Sequence, residues 1–148
     1  MEKLVLSMCE VLGTAMVLYM TTHGFHWNVE GPNFFELHKL LDDQYNDIWA
    51  SLDDHAEHIR ALDAYAPQTM TQLLKFSRLQ EAPNGVVPAR DMLLFLIEGH
   101  ETLIDLMNEV FAMANEENQQ GLTNFLGARI EAHQKMRWML RASAKPTV

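Results

Sequence analysis

The sequence predicts an all-α protein: a four-helix bundle with a short extra helix in the connection between helices two and three, forming one domain over residues 1–148. Three observations carry this expectation. Four long stretches contain no internal proline. Their apolar residues recur at spacings of three and four, which puts them on one helical face. Gly and Pro punctuation falls between these stretches, and no strand-like alternation, internal repeat or low-complexity tract competes.

The first helix spans Lys3 to about Val29, and apolar residues cover most of its circumference from Leu4 to Met20. A helix apolar nearly all round is buried on more than one side, here with help from neighbouring subunits. Gly31 and Pro32 read as the C′ glycine of that helix and the first-turn proline of the next. The second helix runs from about Asn33 to Leu62, with Leu37, Leu41, Ile48, Leu52 and Ile59 as its core stripe. After Pro67, the segment Thr69 to Ser77 has a capping threonine and a short apolar repeat, marking a brief crossing helix. Pro83, Asn84, Gly85 and Pro88 make a turn before the third long helix, whose stripe is Met92, Leu96, Gly99, Leu103, Leu106 and Val110. The polar run Asn115 to Gly121 connects it to the fourth, with Leu122, Leu126, Ile130, His133, Arg137 and Leu140 on one stripe. The tail from Ser143 to Val148 is too short to be a domain. The long connection lets helices two and three run parallel, as in ferritin-like bundles.

Composition narrows the function. At 48% hydrophobic and 21% charged residues, the chain can build a core and is not disordered. A net charge of −9 argues against a general nucleic-acid or anionic-membrane binder, because phosphates need a basic excess. The lone cysteine, Cys9, excludes an intrachain disulfide framework, suits a reducing compartment and reads as a small core residue. The first residues do not resemble a secretory signal, and no apolar run reaches the ~18 residues of a membrane span. The expected location is the cytoplasm.

The chemistry concentrates between His26 and Glu57. His38 and Asp42 are four residues apart, as are Asp53 and Glu57, so each pair can offer two hard ligands from one face. At ~100° per residue all four fall within an arc of roughly 100°. The pair centres are 15 residues apart, about 22 Å along a helix, so they cannot share one metal. Each pair is half a site. A second copy packed antiparallel across a two-fold axis near Asp47 and Ile48 completes both halves, with Tyr45 and Trp49 flanking the axis. His26, at the end of the first helix, is a further candidate ligand. This N/O set without thiolate suits iron or manganese, and imidazole leaves zinc possible. Charged residues at helical spacing are usually a solvated face. Two pairs, a third histidine and two aromatics on one face weigh against that reading. No glutamate is followed by histidine three residues on, which removes the usual intrachain di-iron bundle. Zincin, P-loop, hydrolase-elbow and thioredoxin motifs are also absent.

The segment from His26 to Leu62 closely resembles the signature of the Dps family, the mini-ferritins named as DNA-binding proteins from starved cells. The resemblance extends through Pro83–Leu93 and Arg129–Ala142. It implies a hollow dodecamer, built from two-fold dimers, that oxidises Fe²⁺ with hydrogen peroxide or dioxygen and stores ferric mineral. By position, His26, His38 and Asp42 come from one chain, and Asp53 and Glu57 from its neighbour, around a two-iron ferroxidase centre. Trp27 matches a family tryptophan beside that centre, discussed as protective against radicals, or is simple packing.

The chain also departs from the family. No lysine-rich tail is present, and twelve copies carry about −108 charges, so no appreciable DNA binding is expected at physiological salt. His58 stands where the family commonly has arginine; His55 and His58 are expected to be surface or interface histidines, or else to assist the centre. Asn124 stands where an aspartate often lines the iron pore, leaving Glu116, Glu117 and Glu131 as substitutes. His133 is expected to be a satisfied packing residue, and the ten methionines core rather than haem ligands. Two other functions compete: a DNA-coating nucleoid shell, and a metal-buffering shell holding zinc or manganese without ferroxidase turnover.

Overall fold

The structure, a computed structural model, describes residues 1–146; Thr147 and Val148 of the short tail lie outside the described residues. Five helices follow in order: α1 (Glu2–Asn28), α2 (Phe34–Ala61), α3 (Met70–Phe76), α4 (Ala89–Glu116) and α5 (Gln120–Ala144). No strand occurs among the described residues. The hydrogen bonds fix the directions. Gln44 and Asp47 of α2 meet Met136 and Arg129 of α5 respectively, so α2 and α5 are antiparallel. Arg90 and His100 of α4 meet Ala144 and His133, so α4 and α5 are antiparallel too. Helices α2 and α4 therefore run parallel, as the long connection containing α3 requires.

Burial explains why these residues form a bundle. On α1, Leu4, Met8, Val11, Leu12, Ala15 and Leu18 are all buried, and the hydroxyls of Thr21 and Thr22 donate back to Val17 and Leu18 carbonyls at 2.8 and 2.7 Å. By length and composition α1 could cross a membrane, with mean hydropathy 1.7 over its most apolar window. That window is instead 67% buried within the fold. Gly13 lets α3 cross directly over α1, because a Cβ there would sit 2.4 Å from the Leu73 carbonyl oxygen. The cap on α3 is the expected threonine: Thr69 accepts from the Gln72 amide, and the Gln72 side chain accepts from Thr69. Arg78 ties the following loop to Glu10 of α1 and Glu109 of α4 at 2.8 and 3.2 Å.

The core stripes of α2 and α4 are buried as expected. Two local expectations change. Helix α1 closes on Val29 in extended conformation and α2 is capped by Asn33, so Gly31 (φ 123) is the turn's positive-φ residue rather than C′. Pro32 precedes the cap instead of lying in the first turn. On α5, Ile130 and Arg137 are only half-buried, and Arg129 and Met136 replace them in the core. At ~100° per residue, Ile130 and Arg137 sit roughly 45–65° off the mean direction of Leu122, Leu126, His133 and Leu140.

Candidate metal centre

His26 lies in the last turn of α1 and His38 early in α2, and the turn between them folds one ring onto the other. The rings stack with centroids 3.8 Å apart at 14°. His26 Nδ1 donates to the His38 carbonyl and His38 Nδ1 to the His26 carbonyl, each at 2.8 Å. A carbonyl only accepts, so both Nδ1 atoms carry a proton, and in the neutral form of each ring Nε2 keeps a free lone pair. That is the tautomer a metal-binding imidazole needs, oriented by its other nitrogen.

Asp42 lies one turn beyond His38, half-buried, with Oδ1 accepting from Asn46 at 3.0 Å and Lys39 Nζ 3.9 Å from Oδ2. Behind it stands His23, which the sequence reading passed over although it precedes His26 by three residues. His23 stacks on Tyr45 at 3.7 Å and 9°, and its Nδ1 is 2.8 Å from the Tyr19 hydroxyl. Burial pushes the His23 imidazole down, His26 adds to that, and Asp42 partly opposes it. The Tyr45 hydroxyl is pushed up by burial and then by the Asp42 carboxylate. Trp27, 59% exposed, lies 4.5 Å from the His23 ring. Trp49, 57% exposed, packs on Tyr19 at 5.0 Å, leaving an aromatic surface beside Tyr45.

The second candidate half-site is open. Asp53 and Glu57 are exposed, and with Asp54 their ligand atoms all lie within 4.8 Å of one another. Asp54 was absent from the sequence-derived set because that set followed the i,i+4 pairs; its i,i+3 relation to Glu57 also shares a face. His26, His38 and Asp42 do not converge as closely: the described trio meeting that distance is the acidic one. The structure thus joins His26 to His38 and Asp53 to Glu57, and keeps the two groups at opposite ends of α2.

His55 is not a surface or interface residue. It is fully buried, edge-on to Phe125 at 4.9 Å, because it falls seven residues after Ile48 and four before Ile59 on the core face. Burial, then Arg129 and His58, push its imidazole down to about 3. His58 is half-buried against the same Phe125 at 4.6 Å. His133 is buried and bonded at both ring nitrogens, as a satisfied packing histidine should be. Cys9 is buried. Among the proposed pore residues, Asn124 and Glu131 line one open hollow with Phe111 and Gln120, while Glu117 binds the N-terminal ammonium at 3.1 Å.

A helical bundle carrying an imidazole pair and a carboxylate cluster on its long helices suits the architecture of a carboxylate bundle. The ferritin-like domain family matches residues 8–145. The DNA protection during starvation protein 2 of Bacillus anthracis is 33% identical, over 85% of this chain and 86% of its own length. The DNA protection during starvation protein of Helicobacter pylori is 30% identical, over 86% of this chain and 89% of its own. The Dps crystal structure from Vibrio cholerae O1 superposes with TM-score 0.92 at 29% identity, covering 97% of this chain and 90% of that one. It is described as a member of a broad superfamily of ferritin-like diiron-carboxylate proteins. The chain belongs to the ferritin-like family, within its Dps branch.

Proposed function

We propose that this protein oxidises Fe²⁺ and stores the ferric product inside a cytoplasmic shell of twelve copies, built from two-fold dimers, with hydrogen peroxide as preferred oxidant and dioxygen as the alternative. The observation that carries the reading is the division of one ligand set between the two ends of α2. Each end is too poor in ligands alone, and a second chain in antiparallel register supplies what is missing. Asp53 and Glu57, joined by Asp54, bind the first Fe²⁺ of each centre. His26 and His38 offer their Nε2 atoms, with Asp42, to a second and weaker position. Carboxylate oxygens favour Fe³⁺ over Fe²⁺ and so make bound iron easier to oxidise. Two Fe²⁺ give one electron each to one peroxide, which takes up two protons and leaves as two waters, so no hydroxyl radical is released. Few protein ligands leave room for water and oxidant.

The reading rests also on membership of the family and on the diiron-carboxylate description of the Vibrio cholerae relative. A second reading, a buffering shell that holds zinc or manganese without turnover, is supported by the imidazole share of the donor set. A DNA-coating shell is disfavoured by the net charge of −9 per chain. The test adds Fe²⁺ anaerobically to apo-protein, then peroxide or air, following ferric absorbance with light scattering alongside. Rapid peroxide oxidation on a particle of roughly 200 kDa, twelve chains of 17.0 kDa, is the expected result. An intact shell with no acceleration over buffer would leave the buffering reading and remove the ferroxidase.

A further inference from the structure

The metal half-sites leave one group of titratable residues unused, and it lies inside the bundle. His100 of α4 and His133 of α5 are fully buried, with their Nδ1 atoms 3.0 Å apart. Arg129 of α5 places one nitrogen 3.1 Å from His133 Nε2 and 2.8 Å from the Asp47 carboxylate of α2. The proton positions along this chain follow from its ends. A guanidinium only donates, so His133 Nε2 accepts and His133 Nδ1 carries the proton. His133 Nδ1 then donates to His100 Nδ1, which leaves the His100 proton on Nε2, a buried atom with no partner. Both rings are neutral, each in one tautomer.

Adding a proton to either ring breaks the chain. A second proton on His133 sits on Nε2 and faces the Arg129 N–H. A second proton on His100 sits on Nδ1 and faces the His133 N–H. Both outcomes set two donors head to head in a dry core, where an unmade hydrogen bond is most costly. We infer that the Asp47–Arg129–His133–His100 chain is an acid-sensitive lock, which holds α5 to α2 and α4 at neutral pH and opens when the interior takes up a proton.

The surrounding charges reinforce it. From α2 the chain meets the Asp47 carboxylate and the neutral His55; from α5, Arg129 and Arg137; and no charged group of α1 acts on either ring. Asp47, 43% exposed at its side chain, is the one carboxylate among them and lies at the far end from both imidazoles. Burial, then Arg129 and Arg137, hold His100 at about 3. Burial, then His100, Arg129 and His55, hold His133 well down.

The test compares urea-unfolding midpoints of the intact protein between about pH 7 and about pH 4.5 for wild type, His133→Gln and His100→Gln. In the His133→Gln protein the amide can accept from Arg129 and donate to His100 without titrating. The expected result is a fall in midpoint on acidification that is smaller in both variants than in wild type, by about a third of the histidine-linked part, since the other buried imidazoles, His55 among them, remain. An equal fall in wild type and variants overturns the lock. A second measurement covers variants that fail to fold: nitrogen spectra of ¹⁵N-histidine-labelled wild type. There His100 and His133 should each keep one protonated and one bare nitrogen for as long as the fold persists. Titration of either ring near pH ~6.5 in the folded protein overturns the proposal.

Discussion

Two inactive variants of this chain should rescue each other. His38→Ala removes a ligand from one end of α2, and Asp53→Ala removes one from the other, roughly 22 Å away. In the two-fold arrangement, a mixed pair has one centre missing both ligands and one centre missing neither. Random pairing makes about half the dimers mixed, each with one intact centre of two, so about a quarter of wild-type activity should return. The His38→Ala change leaves the His38 carbonyl in place to accept from His26, so the remaining imidazole keeps its tautomer. The assay co-expresses the two chains with different tags, isolates the mixed assembly through both, and follows ferric absorbance after peroxide. Mixed protein no more active than either parent would refute a centre shared between chains. Parents that keep substantial activity alone would refute the ligand assignment.

Four further outcomes follow from the same structure. Replacing Asp53 and Glu57 together with alanine should reduce peroxide-driven iron oxidation to the buffer rate in stopped-flow absorbance; a wild-type rate would exclude them as ligands. Gly13→Ala gains helix propensity of about 0.5–1 kcal/mol but drives a Cβ to 2.4 Å from the Leu73 carbonyl, so it should destabilise by roughly 1–3 kcal/mol in urea unfolding. Gly24→Ala, with nothing within 4 Å, should stabilise by about 0.5–1 kcal/mol, and a shared sign for the two glycines would contradict this packing. Stability should also fall as pH drops below ~6.5, because the unfolded chain then binds a proton that the folded His100, held at about 3, refuses. The slope for that residue approaches 1.4 kcal/mol per pH unit, or about 2–3 kcal/mol by pH ~4.5, measurable as the pH dependence of the unfolding free energy.

Helical architecture was legible in the sequence because the period of apolar residues is a local property. The stripes Leu37–Leu41–Ile48–Leu52–Ile59 and Met92–Leu96–Leu103–Leu106–Val110 needed no tertiary information, and both are buried. The Thr69 cap was legible for the same reason. What escaped depended on contacts between distant segments. His55 reads as part of an acidic surface run in DDHAEH, yet its angle puts it beneath Phe125. Arg129 looks like a surface cation until Asp47 and His133 are folded against it. His23 and Asp54 relate to candidate ligands at i,i+3, a spacing that the i,i+4 pairs do not include. The His26–His38 pairing was foreseeable as proximity, whereas its crossed hydrogen bonds depend on the path of the intervening turn.

That crossed pair has a consequence for exchange measurements. The turn through residues 29–33 is spanned by two hydrogen bonds that fail together, since opening it separates His26 from the His38 carbonyl and His38 from the His26 carbonyl. Under the proposed ligand assignment, a cation held at these two histidines would favour the closed turn over the open one. By linkage it would slow opening-limited amide exchange there by a factor of one plus the ratio of free cation to its dissociation constant. Under that assignment the turn would serve as an occupancy gauge for a colourless ion as well as for iron. Slowed exchange confined to this segment would report binding at the histidine half-site of a single chain, independently of any oxidation.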